Sequence, residues 1–167
     1  MRLVLLLLIL VVVEAFYNSA GGRLVAYFCP YLMLQVTAFV GLLQGPGTGL
    51  VFGLAAGFLE ELYFAGAGHA VGLTPLTYCW TGWLCGKFFY GRADAASPAL
   101  GVLITVVGLM FGLGLGAFLS WGYGMNLPTL DFGLRWTHAM TACLQVLWSP
   151  LLLALLVYLL KPRQAFE

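Results

Sequence analysis

Two adjacent carboxylates, Glu60 and Glu61, are the only charged residues in the apolar run from residue 47 to residue 64. An ionisable side chain inside an apolar bundle is a functional candidate, because leaving it unpaired there is costly. The two acids are not equivalent. Glu61 continues a row made by Gly49, Gly53 and Gly57, each four residues after the last, so all four share one helix face. Small residues at this spacing let two helices approach closely where packing, rather than water expulsion, drives association. The row points at another helix and carries the Glu61 carboxylate into that contact. Glu60 lies off the row, at a helix C-terminus whose dipole disfavours negative charge. It reads either as an interfacial acid solvated at a membrane surface or as a functional group.

Further polar side chains follow helical spacing elsewhere. Thr74, Tyr78, Thr81 and Cys85 form one stripe, and His138, Thr141 and Gln145 form another. The outer members, Thr74, Tyr78, His138 and Thr141, share one half of the chain's apolar layer with Glu61. They either line an outward-facing pocket or make interhelical hydrogen bonds, worth about 0.6 kcal/mol each. The cysteines, Cys29, Cys79, Cys85 and Cys143, form no C-x-x-C pair and sit in apolar runs, so they read as small buried hydrophobes. His69 and His138 lack ligand spacing, and no nucleophile, zincin or phosphate-loop motif is present. The expectation is a chain with no catalysis, no metal and no cofactor.

These side chains are set in a chain built for lipid. It has 167 residues, 62% hydrophobic and 8% charged, with 22 glycines. A soluble domain averages about 25% charged residues and about 7% glycine. Mean hydropathy is +1.00. A net charge of +1 leaves no footprint for nucleic acid. The glycine spacing recurs at Gly82 and Gly86, and at Gly108, Gly112 and Gly116. Apolar runs predict an all-α, polytopic membrane protein with six spans in one domain (1–167): 3–17, 25–43, 47–64, 73–90, 99–121 and 134–160. Pro75 falls in a first turn, where its missing N–H costs little, and Pro150 falls inside the last span as a kink. The first run has the look of a signal peptide cleaved after Ala15, but Glu14 is unusual so close to a cleavage site, and a retained helix is expected. The tryptophans Trp80, Trp83, Trp121, Trp136 and Trp148 are expected mostly near the membrane interfaces. With both termini inside, Arg2, Lys87, Arg92, Lys161 and Arg163 are cytoplasmic, against Arg23 and Arg135 outside, as the positive-inside rule asks.

Residues 47–89 resemble the core of the bacterial rod shape-determining protein MreD family. Gly53, Gly57, Glu61 and Leu62 match its glycines four apart and its acid–Leu pair, with Glu61 where the family usually has Asp and a slightly longer loop following it. Cys29-Pro30-Tyr31-Leu32 looks like the start of that family's second helix. Trp148-Ser149-Pro150 and the basic end at Lys161, Pro162 and Arg163 are similar to its last helix and terminus. The resemblance implies a fold similar to the six-helix substrate-binding subunits of energy-coupling-factor vitamin transporters. It implies a scaffold of the elongation machinery in the cytoplasmic (inner) membrane, which maintains cell shape and organises side-wall peptidoglycan synthesis. Its implied partners are a single-span MreC-like protein and, through it, an MreB-like filament and the wall synthases, all within membrane lipid. The expected partner site is Glu61, Thr74, Tyr78, His138 and Thr141. The same kinship gives an alternative, a vitamin-binding transporter subunit, but the outer polar set is sparse for a small-molecule pocket.

Overall fold

The computed structural model describes residues 2–17, 31–64, 72–91, 97–122 and 132–160. Among these the chain forms six α-helices and no strand: α1 (Arg2–Tyr17), α2 (Leu32–Gln44), α3 (Pro46–Phe64), α4 (Leu73–Phe89), α5 (Pro98–Gly122) and α6 (Phe132–Leu160). Helices α3 and α5 begin at Pro46 and Pro98, one residue ahead of the apolar runs. Proline is favoured at the first helical position because its missing N–H would have no partner there anyway. The described part of α2 begins at Leu32, and residues 25–30 of the expected span lie outside the described residues.

Helix α2 is the axis of the bundle. It packs on α3, α4, α5 and α6. Around it α3 packs on α4, α4 on α5 and α5 on α6, and α1 touches both α3 and α6. At 13 residues α2 is the shortest described helix, and every residue from Met33 to Leu42 is buried. Its C-terminus turns on Gly45, whose φ of +93° is accessible to glycine without strain, and α3 starts at the next residue. At the same end Gln44 Nε2 donates to the carbonyl of Leu160, one of the orphaned carbonyls at the end of α6, at 3.2 Å.

Glycine sets how tightly the centre closes. A Cβ added to Gly49 would lie 2.6 Å from both Gly41 Cα and the Gly82 carbonyl oxygen. One added to Gly86 would lie 2.6 Å from Pro46 Cα, and Gly41 and Gly82 would collide with each other's helices in the same way. Three helices thus meet backbone to backbone, a contact that no residue with a side chain permits. Gly108 and Gly112 of α5 face Ala38 and Leu34 of α2, and Gly101 faces Leu153 of α6. The surroundings of Gly116 lie outside the described residues.

The distribution of polarity is inverted relative to a soluble domain. Gln35, Thr37, Thr77, Thr81, Thr105, Gln145 and Ser149 are buried, while Val12, Leu62, Met110, Leu147 and Leu151 are among the large apolar side chains turned outward. Pro98–Leu119 in α5 and Cys143–Leu160 in α6 are long and apolar enough to cross a membrane, and less than a third of either is buried in the bundle. Helix α6 runs on through Pro150. The proline removes the N–H that would bond the carbonyl of Val146, and the hydroxyl of Ser149 donates to that carbonyl instead, at 2.7 Å. One expectation is corrected here. Cys143 is exposed on α6 and Cys79 is only half-buried, so Cys85 is the one described cysteine in the core. Trp148 is exposed on α6.

Candidate functional site

The contact of α3 with α4 is a ladder of close approaches. It runs from Gly49 against Gly82, through Gly53 against Tyr78, to Gly57 against Pro75. A Cβ on Gly53 would lie 2.5 Å from the Tyr78 carbonyl oxygen. The ladder ends at Glu61, whose Oε1 accepts the backbone N–H of Gly72, the N-cap residue of α4, at 2.6 Å. A carboxylate there faces the positive end of the α4 dipole. The second oxygen, Glu61 Oε2, is buried and makes no hydrogen bond among the described residues.

Glu60 is drawn into the bundle. Its Oε2 accepts the hydroxyl of Tyr78, which is only 5% exposed. The reason lies in helix pitch. Stepping by fours drifts about 40° per step, so Glu61 stands about 120° from Gly49 around the axis, whereas Glu60, eleven residues on, stands only about 20° from it. The inward line of α3 is therefore Gly49, Phe52, Gly53, Ala56, Gly57 and Glu60, and the first five of these are buried.

A second polar group lies deeper. Gln145 of α6 grips the backbone of Tyr31 at two points: Nε2 donates to the Tyr31 carbonyl at 2.9 Å, and Oε1 accepts the Tyr31 N–H at 3.2 Å. The same Nε2 donates to Gln35 Oε1 at 3.0 Å, and Gln35 Nε2 donates to Thr105 Oγ1 of α5 at 2.9 Å. This satisfies two buried amides and supplies the N-terminus of α2 with a cap that Tyr31 itself does not provide. Tyr31 is thus held by its backbone at the start of α2.

The expected site residues are thus distributed as follows. Glu61, Thr74 and Tyr78 lie together where α3 ends and α4 begins, but Tyr78 serves Glu60 and is buried between helices. The side chains of His138 and Thr141 lie outside the described residues, as does His69. Helix α2 packs on both α4 and α6, the helices that carry the two polar stripes. Thr81 and Gln145 are completely buried, Thr81 bonding the Thr77 carbonyl of its own helix and Gln145 bonding α2. Gln35, Thr105 and Gly41 carry roles that the sequence analysis does not assign, and Tyr31 enters it only within the resemblance at Cys29-Pro30-Tyr31-Leu32. Gly41 had a signal, the small-residue row Thr37, Gly41, Gly45. Gln35 had another, a lone amide inside an apolar run. Among the described residues no three His, Cys, Asp or Glu side chains gather. No family model, no curated protein and no solved structure matches this chain.

Proposed function

We propose that this chain is a six-span, non-catalytic scaffold of the bacterial cytoplasmic membrane, with the role of MreD-like proteins. It binds a single-span MreC-like protein and through it serves the MreB-like filament and the wall synthases. Support for the membrane comes from the inverted polarity: apolar side chains cover the outside of the bundle while amides and hydroxyls are bonded inside it. Support for the scaffold comes from the resemblance of residues 47–89 and from how this segment is built, as two helices locked by glycine with a carboxylate at their open end.

The observation that carries the partner reading is Glu61 Oε2. A carboxylate oxygen buried without a donor among the described residues is costly, and a basic group or free N–H on an incoming helix that displaces its cover would relieve that cost. Apolar packing supplies most of the attraction, and the carboxylate fixes orientation.

The test is co-purification of a tagged MreC-like protein with Glu61→Gln and Glu60→Gln variants. In Glu61→Gln the remaining carbonyl still accepts the Gly72 N–H, but an NH2 replaces the open acceptor, so capture should fall while the melting temperature holds. Glu60→Gln should retain capture. Equal capture by both folded variants defeats the role of Glu61. Capture of a vitamin-sized molecule by the purified chain, with no MreC-like protein bound, favours the transporter subunit instead.

A further inference from the structure

The outer face of α4 carries an arrangement that neither helix packing nor the partner site uses. Leu76, Trp80, Trp83 and Lys87 follow one another at intervals of four, three and four residues, and so form one stripe. Leu76 is 37% exposed, Trp80 is 47% exposed and Lys87 is exposed at the top of the stripe. The Lys87 ammonium sits 4.6 Å from the centre of the Trp83 ring. Trp80 meets Trp83 edge to face, with centroids 5.5 Å apart, which steadies the ring under the cation. Among the described residues Lys87 makes no ion pair. The described carboxylates, Glu60 and Glu61, are gathered at the other end of α4, beside Tyr78 and Gly72. Lys87 also lies in the last turn of α4, where the free carbonyls favour a cation.

From this geometry we propose that the stripe is a binding site for an anionic phospholipid, resting on the membrane reading above. The phosphate lies on Lys87 and one acyl chain runs down Trp83, Trp80 and Leu76. From Lys87 to Leu76 is about 16 Å along the axis, close to half of a hydrocarbon core about 30 Å thick. That is the reach of a single leaflet, so the lipid belongs to the leaflet at the Lys87 end. The aromatic rings occupy the level where Trp is favoured, and the lysine extends past them to the headgroup. An anionic headgroup is selected over a zwitterionic one because it alone neutralises the ammonium without adding a second cation.

The full-length chain is reconstituted in nanodiscs of equimolar phosphatidylglycerol and phosphatidylcholine, and co-purifying lipid is read by native mass spectrometry. One lysine near an anionic surface favours binding about fivefold, so the wild type should retain phosphatidylglycerol over phosphatidylcholine by about that factor. Lys87→Gln should bring the ratio near one in a chain that stays folded, its melting temperature lowered only slightly by loss of the helix-end and ring contacts, and Lys87→Arg should preserve the preference. Trp83→Leu should lower it. Parity in the wild type, or an undiminished preference in a folded Lys87→Gln, overturns the lipid site while leaving the membrane reading standing. A chain that does not enter nanodiscs overturns both. Displacement of the lipid by inorganic phosphate alone would show that the stripe contributes nothing and overturns the site as stated.

Discussion

Glu60 of α3 accepts the hydroxyl of Tyr78 of α4, so the acid that lies off the glycine row is the one tied into the core. The bond spans the two helices at the end where their glycine ladder stops. A hydrogen bond to a charged group contributes about 1.5–3 kcal/mol in soluble proteins, and interhelical bonds in membranes average about 0.6 kcal/mol. Tyr78→Phe should therefore lower stability by about 1 kcal/mol, read as a shift of the thermal melt in detergent. Glu60→Gln should shift it less, because a carbonyl still accepts the phenol. An unshifted melt for Tyr78→Phe would mean that the two groups do not bond.

The ladder itself gives a sharper contrast. Gly53→Ala places a methyl 2.5 Å from the backbone carbonyl oxygen of Tyr78, a clash that no side-chain rotation relieves. The helices must part, at a cost of about 1–3 kcal/mol or more. Gly47→Ala and Gly114→Ala meet nothing within 4 Å. There the gain in helix propensity, about 1 kcal/mol, has no packing cost against it. Melts of the three variants should rank Gly53→Ala below wild type and the two others at or above it. Equal melts would show that α3 and α4 are not in backbone contact.

These two cases mark what the sequence made legible. A row of glycines four apart needs only the helical repeat to be read as a packing face, and Gly49, Gly53, Gly57, Gly82 and Gly86 are at such a face. The six helices follow from runs of apolar residues bounded by glycine and proline. What depended on a third helix was not legible. That α2 is the central helix, packed on α3, α4, α5 and α6, depends on tertiary packing and has no local mark in the sequence. Likewise Glu60 was separated from the core by counting strictly in fours, and the true pitch returns it there. Partners as distant in sequence as Gln35 and Gln145 carry no local mark of one another.

That amide network makes its own prediction. Gln145→Leu removes the two-point grip on Tyr31 and leaves Gln35 Oε1 buried without a donor. Each unsatisfied buried group costs about 1–3 kcal/mol, so the variant should melt well below wild type. Adding Gln35→Leu removes one of the orphaned groups and should cost less than the sum of the two single changes. Strict additivity in this double-mutant cycle would show that the two glutamines do not interact.

The last prediction concerns orientation. Among the side chains the structure describes, Lys87 stands in the last turn of α4, while the acids Glu60 and Glu61 stand at the other end of that helix, beside Tyr78 and Gly72. The described charges thus differ in sign between the two ends of α4. Lysine and arginine in short flanking segments, rather than acids, decide which end is cytoplasmic, so the Lys87 end should face the cytoplasm. A reporter that functions only in the cytoplasm should be active when fused after Gly91 or after Leu160, and silent when fused after Gly72. A reporter that functions only outside should give the reverse pattern. Because α5 and α6 separate Gly91 from Leu160, agreement between those two fusions requires that both of these helices cross the membrane or that neither does. Disagreement between them would remove one of the spans, and an inverted pattern at all three sites would place the acids, with Glu61, on the cytoplasmic side, out of reach of any partner helix docking from the outer face.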